Sequence, residues 1–259
     1  MSAHRFNFRG EKVLADLKQG IRPDSRKLDE YRKIQVFKDI SQNADGSSRV
    51  KIGNSDVLCG IKSVPMAPYP DSPDQGTISV LVELLALASP DFEVGPPSEE
   101  SIELARVVDR ALREGHAIDF KTLAITEGEL VWTVFVDLYV LNHDGNLFDA
   151  SSIAALAALR EAKIPKLEDK KIVKGEYTKK FKLSSNPLLS TFAKAGNVIV
   201  VDPCLGEEKV MESRLSIGVT EDDVICAMQK GGNGSFSLEE VNSLIDLAFK
   251  NTKAIRKLI

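Results

Sequence analysis

The amino-acid sequence predicts a mixed α/β fold made of two related halves. Three groups of strand segments are each followed by a single helical segment along the chain, and this order is typical of sheets covered by helices. A length of 259 residues is enough for one large domain or for two small ones that share a core. No internal repeat is visible as sequence identity between the halves.

The chain opens with a predicted helical extension over residues 1–20. Val13, Leu14 and Leu17 are spaced as on one face of a helix. Gly20 follows them as a C-cap, and a turn-rich stretch comes next.

The first half is predicted to cover residues 21–162. Ser98 is a favourable N-cap for one of its helices, and Glu99 and Glu100 suit the positive end of that helix. In chain order we expect strands and hairpins over 33–65, a proline-containing loop over 66–76, a largely buried strand over 76–87, a helix over 99–114, a long strand over 131–141 and a buried helix over 147–159.

A lysine-rich segment, residues 163–182, separates the first half from a second half over residues 183–259. The segment contains eight lysines with Pro165 and Gly175 among them, and we expect it to be a solvated connection. Beyond it we expect strands from Phe181 to Met228, a loop over 231–234 and a closing helix that begins at the capping box Ser237-x-x-Glu240 and continues towards Leu258.

Composition and charge restrict the possible functions. Hydrophobic residues make up 43% and charged residues 28% of the chain, as in an ordinary globular protein. No apolar run reaches the roughly 18 residues of a transmembrane helix, so we expect no membrane contact. The formal net charge of −4 argues against non-specific coating of nucleic acid. RNA would therefore have to bind at a local positive patch.

The N-terminus and the cysteines indicate a cytoplasmic protein. The first ten residues are polar, include Arg5 and Arg9 and are followed by no apolar stretch, which excludes a usual secretory signal. Cys59, Cys204 and Cys226 are scattered and odd in number. We expect buried, reduced thiols.

Several common catalytic sites are absent from the sequence. His4, His116 and His143 are not at metal-ligand spacing with one another or with a cysteine, so no zinc site is expected. The glycine-rich residues 231–234 lack the Lys-Ser/Thr of a P-loop. Neither a nucleophile-elbow motif nor a dinucleotide-binding motif occurs. We therefore expect no metal ion and no cofactor.

Three arginines of the helix over 99–114 form one stripe. Arg106, Arg110 and Arg113 are spaced i, i+4 and i+7, and apolar residues cover the flanks and the opposite side of the helix. Three guanidinium groups along about 10 Å of helix match successive phosphates of a single RNA strand.

The same stripe is also compatible with a solvated face crossed by ion pairs, and the pattern alone favours that interpretation. Each arginine has an acidic neighbour at helical spacing: Glu103 for Arg106, Glu114 for Arg110 and Asp109 for Arg113.

Several segments spread over nearly the whole chain are similar to one protein family. They are Arg22-Pro23-Asp24-Ser25-Arg26 with Glu30, Arg32 and Ile34, the segment from Met66 to Gly76, the segment from Ala88 to Pro97, and the segment from Glu103 to Arg110. The first resembles the Arg-x-Asp-Gly-Arg opening of the RNase PH superfamily, with Ser25 in place of glycine. The others resemble one branch of it, the non-catalytic RNase PH-like ring subunit of the archaeal exosome.

This resemblance implies an RNase PH-like fold of two similar β-α halves, the ribosomal protein S5 domain 2-like fold. It also implies a hexameric ring of three heterodimers, in which the chain alternates with a catalytic RNase PH-like subunit and meets RNA-binding cap subunits and single-stranded RNA. The partner's reaction is phosphorolysis: inorganic phosphate attacks the 3′-terminal linkage of RNA and releases nucleoside diphosphates.

The resemblance further implies that this chain has lost both parts of the catalytic site. Active members hold phosphate with a Gly-Thr/Ser-Arg turn, which here matches Asn146, Leu147 and Phe148, and neither of the last two side chains donates a hydrogen bond. Active members also use two aspartates, six residues apart, to transfer a proton or to bind a metal ion. These aspartates here match Glu208 and Arg214. Arginine reverses the charge and keeps its proton near neutral pH.

In this branch, arginines of the helix over 99–114 contact RNA next to the partner's active site. Arg106 and Arg110 match them directly and Arg113 less clearly. Three functions follow: a non-catalytic RNA-binding subunit, which we favour, an active phosphorolytic exoribonuclease that relies on Glu208, and a scaffold that touches no RNA.

Overall fold

Two large β-sheets and a two-stranded hairpin, with helices between and beside the large sheets, form the structure, a computed structural model. It describes the backbone of residues 3–259 and the side chains from Gly10 onward. The expectations that involved the side chains of His4, Arg5 and Arg9 lie outside the described residues. The predicted mixed α/β architecture is confirmed, because strand groups and single long helices alternate along the chain.

The larger sheet belongs to the first half of the chain. Its strands lie in the order β1-β2-β3-β6-β4, with β5 paired to β6. β4 runs parallel to β6, and the other neighbours are antiparallel. The strands are β1 (Ile34–Lys38), β2 (Gly46–Ile52), β3 (Ser55–Met66), β4 (Thr77–Leu84), β5 (Ala124–Thr126) and β6 (Leu130–Asn142).

Strand β4 is an edge of this sheet and is buried on one face only. Ile78, Val80 and Val82 are buried, whereas Leu81 between them is 54% exposed. The expectation of a largely buried strand over 76–87 is therefore wrong. An edge strand that is covered by a helix on one face buries only alternate side chains.

The smaller sheet belongs to the second half of the chain. Its four strands are antiparallel and lie in the order β10-β9-β11-β12. They are β9 (Leu188–Ala195), β10 (Val198–Val201), β11 (Ser213–Val219) and β12 (Ile225–Gly232). The loop expected over residues 231–234 begins two residues late, because Gly231 and Gly232 still pair with Arg214 and Ser213 of β11.

Two helices fill the space between the sheets. The helices are α1 (Ala3–Lys18), α2 (Glu99–Glu114), α3 (Leu147–Glu161), the short α4 (Leu205–Glu208) and α5 (Leu238–Ile255). α3 contacts β2 and β3 on one side and β9 on the other, and α2 contacts β4 and β12. α5 packs on β9 and β11. Among the described helices, none is long and apolar enough to cross a membrane.

Helix α3 is buried on every side. All of its residues from 147 to 159 are buried, and most are alanine, leucine or serine. Its close approach to the larger sheet requires a glycine, because a Cβ atom at Gly46 of β2 would lie 2.5 Å from the carbonyl oxygen of Ala158. Small side chains therefore let α3 lie between both sheets.

The ends of the long helices follow the predicted capping chemistry. The Ser98 hydroxyl accepts a hydrogen bond from the Ser101 N–H at 3.2 Å. Ser237 and Glu240 form the predicted capping box at the start of α5. These caps satisfy N–H groups that have no partner within their helices.

The lysine-rich segment is a β-hairpin and not the expected solvated connection. Strands β7 (Lys163–Glu168) and β8 (Lys171–Lys180) pair antiparallel across a turn at Asp169 and Lys170. Ile164 is 9% exposed and packs in the main core. Widely spaced apolar residues among the lysines thus suffice to anchor one face of the hairpin.

A buried arginine ties the start of the first half to the second half. Arg22 is 1% exposed. Its guanidinium donates two hydrogen bonds of 2.7 Å to the Glu207 carboxylate, and further ones to the carbonyl oxygens of Val201 and Asp202. Nearby, Arg32 donates to both carboxylate oxygens of Asp202, at 2.7 and 2.9 Å. The opening motif therefore has a structural role that joins the halves.

We predict that Arg22→Ala lowers the free energy of unfolding by about 3 kcal/mol or more, because it leaves the Glu207 carboxylate buried without its partner. The control is Arg49→Ala, which removes a pair with Asp56 in which the arginine side chain is 40% exposed. That change should cost about 1 kcal/mol or less. Urea unfolding of both variants measures the difference, and equal losses would contradict the assigned role.

Candidate functional site

Helix α2 separates two cavities. On one side lies an open groove of about 680 Å³, here called the arginine groove, which is lined by Tyr69, Thr77, Arg106, Arg110 and Arg113 among others. On the other side lies a cavity of about 340 Å³, here called the side pocket, which is lined by His143, Leu147, Phe148, Glu208 and Arg214 among others. The residues proposed from the sequence thus fall into two sites.

Arg106 and Arg110 are available in the arginine groove. Both are exposed. Arg110 has one long contact, 3.5 Å from its Nη1 to Oε1 of Gln229. Arg106 makes no hydrogen bond or ion pair with the residues that the structure describes. Two guanidinium groups one helical turn apart therefore face solvent on the groove side of α2.

Arg113 is held by its surroundings. Its guanidinium forms an ion pair with Asp109 at 3.0 Å and donates to the carbonyl oxygen of Ile78 at 2.7 Å. It also lies over the ring of Phe120, 5.5 Å from the centroid. Arg113 thereby fastens α2 to the edge strand β4.

Of the three ion pairs that the helical spacing suggested, one forms. Asp109 pairs with Arg113 as expected. Glu103 instead pairs with Arg214 at 2.6 Å, and no ion pair joins Glu114 to Arg110 among the described side chains. The expectation failed for Glu103 because a cation of the other half lies closer than its helical neighbour.

The side pocket brings together four of the five positions that the resemblance matches to catalytic residues. Leu147 and Phe148, in the first turn of α3, border it with Glu208 of α4 and Arg214 of β11. The backbone N–H of Asn146 donates to Oε1 of Glu208 at 2.8 Å. The side chain of Asn146 turns away, because its amide donates to Asp149 and Asp202.

Arg214 and Phe148 pack against each other in this pocket. The guanidinium carbon of Arg214 lies 3.9 Å from the centroid of the Phe148 ring, a cation–π geometry. One Nη is bound to Glu103, while the buried Nε has no partner among the described residues. The Arg214 guanidinium thus already contacts the Phe148 ring and the Glu103 carboxylate.

Glu208 has an altered proton affinity. Burial raises the pKa of Glu208 to about 7, although the Asn146 N–H and the charges of Arg214 and Arg32 act in the opposite direction. Nε2 of His143 lies 4.0 Å from Oε2 of Glu208. Burial lowers the pKa of His143. Near neutral pH, Glu208 is consequently divided between its acid and its carboxylate forms.

Two buried acids, Asp149 and Asp202, belong to no pattern that the sequence shows. Asp149 accepts hydrogen bonds from the hydroxyls of Tyr31 and Thr191 at 2.7 Å, and burial raises the pKa of Asp149 to about 6. Asp202 accepts from Arg32 and Asn146. Apart from Asn146, which is three residues from Asp149, the partners named here lie at least 42 residues away, so sequence spacing does not indicate them. Within the described residues, no group of three or more His, Cys, Asp and Glu side chains is placed to hold a metal ion.

Comparison with family models defines the class of protein. Residues 30–165 match domain 1 of the 3′ exoribonuclease family, the RNase PH family, and residues 186–251 match its domain 2. The chain therefore belongs to the 3′ exoribonuclease family, and the resemblance inferred from the sequence is confirmed.

Individual relatives are similar over nearly the whole chain. The exosome complex component Rrp42 of Thermococcus gammatolerans is 47% identical over 253 residues, covering 96% of this chain and 93% of that protein. The protein of the same name from Methanopyrus kandleri is 44% identical over 250 residues, covering 95% and 94%.

Solved structures agree with the fold. A chain of the Archaeoglobus fulgidus exosome with RNA bound to the active site has a TM-score of 0.91 and 40% identity, with 97% of this chain and 98% of that chain covered. A chain of an archaeal exosome core has a TM-score of 0.87 and 38% identity, with 98% and 97% covered. The predicted two-halved RNase PH-like fold is confirmed.

The altered proton affinity of Glu208 should appear in the stability of the chain. Between the ordinary glutamate pKa and about 7, the folded chain binds more protons at Glu208 than the unfolded chain does. The free energy of unfolding therefore falls as pH rises through this range. We predict that Glu208→Gln removes part of this fall, so that the variant is more stable than the parent at pH 8 by on the order of 1–2 kcal/mol and little changed at pH 5.

Urea unfolding at the two pH values measures this effect. Asp149 should leave a smaller residual fall in the variant, because its pKa is also raised. Glu127→Gln, at an exposed position outside the side pocket, is the matched control and should leave the pH profile unchanged. Parallel profiles for the parent chain and Glu208→Gln would refute the assignment.

Proposed function

We propose that this chain is a non-catalytic, RNA-contacting component of an exosome ring for 3′-to-5′ RNA degradation. The observation that carries the proposal is the packing of Arg214 on Phe148 in the side pocket, with Glu103 bound to the same guanidinium. Where an active member would bind phosphate, this chain has a closed contact between its own side chains.

The chemistry of phosphorolysis supports this assignment. The attacking phosphate needs several hydrogen-bond donors, and the side chains of Leu147 and Phe148 donate none. Glu208, with a pKa of about 7, has the proton affinity of a general acid. This feature favours the second candidate, an active exoribonuclease, but an acid without a bound nucleophile completes no reaction.

The arginine groove supports contact with RNA. Arg106 and Arg110 are exposed on adjacent turns and are not neutralised by the acidic residues of their own helix. Unpaired guanidinium groups bind phosphate oxygens strongly and in a planar geometry. Arg113 belongs to the proposed site chiefly as the residue that holds α2 against β4.

Relatives that are named as exosome components support a ring assembly. We propose that the chain alternates with a catalytic RNase PH-like subunit in a hexamer of three heterodimers, shapes the partner's active site and meets RNA-binding cap subunits. Its halves would span residues 21–162 and 183–259, after the extension over residues 1–20. We further propose a cytoplasmic location, because Cys59, Cys204 and Cys226 are unpaired.

We predict that the purified chain releases no nucleoside diphosphates from RNA in the presence of phosphate. The reason is the missing phosphate site at Leu147 and Phe148. The same assay after mixing with an active RNase PH-like subunit should show degradation, with equal numbers of the two chains by native mass spectrometry. Phosphate-dependent release by the isolated chain, free of any partner, would favour the active enzyme instead.

We predict that the double variant Arg106→Ala and Arg110→Ala weakens RNA binding by the assembled ring about tenfold at low salt and leaves assembly intact. Each lost phosphate contact should flatten the log–log dependence of affinity on salt by about 0.7. Fluorescence anisotropy with single-stranded RNA at two salt concentrations measures both quantities.

The matched control for this variant is Lys250→Ala with Lys253→Ala, which removes two exposed cations from α5. It should leave the RNA affinity unchanged. Unaltered binding by the arginine variant would leave the chain as a scaffold, which is the third candidate function.

A further inference from the structure

The lysine hairpin, defined here as residues 163–182, is a feature that the proposed function does not use. It contains eight lysines and three acidic residues in a chain of net charge −4. We infer that this hairpin is a second binding surface for the phosphates of single-stranded RNA, separate from the arginine groove. This inference rests on the proposed function in one respect only: it takes RNA as the polyanion that binds to the assembled ring.

The hairpin has a defined shape. Asp169 and Lys170 both have positive φ angles, 49° and 63°, as in the tight turns that match the twist of paired strands. Leu167 and Ile172 pack against the main core beside the buried Ile164. The exposed face is therefore presented by an anchored strand pair, and binding there costs less ordering than binding to a flexible linker.

Ion pairs neutralise one part of the positive charge. Lys166 is bound to both Glu168 and Glu176, at 3.0 and 2.8 Å. Lys180 pairs with Glu161 at 2.6 Å. The hairpin has three acidic residues. Two of them, Glu168 and Glu176, are neutralised by the same lysine, Lys166.

Of the other six lysines, Lys170 pairs with Glu129 and Lys163 lies over the ring of Tyr177, which leaves four. They are exposed and make no hydrogen bond or ion pair with the residues that the structure describes: Lys171, Lys174, Lys179 and Lys182. Three of these lysines belong to strand β8, and the outer two, Lys171 and Lys179, lie about 26 Å apart along its extended backbone. Unpaired ammonium groups close together on an exposed strand attract a flexible polyanion through the release of its counterions.

An aromatic side chain favours RNA over an acidic protein segment as the occupant. Tyr177 of β8 is 37% exposed, and Nζ of Lys163 lies 5.9 Å from its ring centroid. Surfaces that bind single strands without sequence preference combine cations that follow the backbone with aromatic rings on which bases stack. An acidic peptide would use the lysines but not the ring.

The hairpin lies next to the arginine groove but is divided from it by acidic residues. Lys170 pairs with Glu129 at 2.9 Å, and the neighbouring Gly128 N–H donates to the carbonyl oxygen of Pro73. Pro73 belongs to the loop that borders the groove, and Asp71 and Asp74 of this loop repel phosphate. The two surfaces should consequently bind separate parts of one RNA strand, so the hairpin should matter for long RNA only.

The test compares two RNA lengths on the assembled ring. The variant carries Lys171→Gln, Lys174→Gln, Lys179→Gln and Lys182→Gln, and the matched control carries Lys12→Gln, Lys250→Gln, Lys253→Gln and Lys257→Gln, which removes as many exposed charges elsewhere. Affinities for 10- and 30-nucleotide oligoadenylates are measured by anisotropy at two salt concentrations, and native mass spectrometry follows the assembly of the ring.

We expect the hairpin variant to bind the 30-nucleotide RNA about tenfold more weakly at low salt, with a log–log salt slope that is flatter by between about one and three units. The 10-nucleotide RNA and the control variant should bind as the parent ring does. An equal loss in both variants would mean that only net charge matters and would overturn the inference. Loss of subunits from the ring with unchanged RNA affinity would overturn it as well, in favour of a protein contact.

The outcome is separable from that of the proposed function. If the double variant of Arg106 and Arg110 binds RNA normally but the hairpin variant does not, the RNA-binding role of the arginine groove is refuted and that of the hairpin is supported. If only the arginine variant loses affinity for RNA, the role of the arginine groove is supported and the hairpin has no role in RNA binding.

Discussion

The structure depends on the buried ion-pair network that joins the two halves. Arg22 and Arg32, from the opening of the first half, are bound to Glu207 and Asp202 of the second half. The same acidic segment continues into Glu208, so the network places that residue at the side pocket. Buried charges are tolerated only when their hydrogen bonds are complete, which explains why so many donors and acceptors converge here.

Local structure followed from local signals, but long-range pairing did not. Helices α2 and α5 were predicted within a few residues, because apolar periodicity and caps such as Ser98 and the Ser237 box act over short distances. The hairpin over 163–182 was missed because its lysines obscure the few apolar residues that pack inward. The partner of Glu103 was also missed, since it lies 111 positions away. The family resemblance identified the side-pocket residues, whose convergence no spacing rule would indicate.

The two cavities beside α2 are chemically linked through Glu103. Arg214 binds this carboxylate and thereby keeps it from neutralising Arg106 on the next turn of the helix. The Arg214–Glu103 pair thus also leaves Arg106 without an acidic partner among the described residues on the groove side of α2. In the proposed function, loss of catalysis and gain of an RNA contact would have one shared physical cause.

Helix α3, buried on all sides between the sheets, sets the distance between them. Gly46 touches it from one sheet, and Leu189 of the other sheet donates its N–H to the Ser152 hydroxyl of this helix. A larger side chain in the part of α3 that lies between the sheets, such as residues 152–158, would push the sheets apart and disturb the contacts that span the halves. The side pocket lies at the first turn of α3, beyond this spacer, so its side chains are not the ones that set the thickness between the sheets.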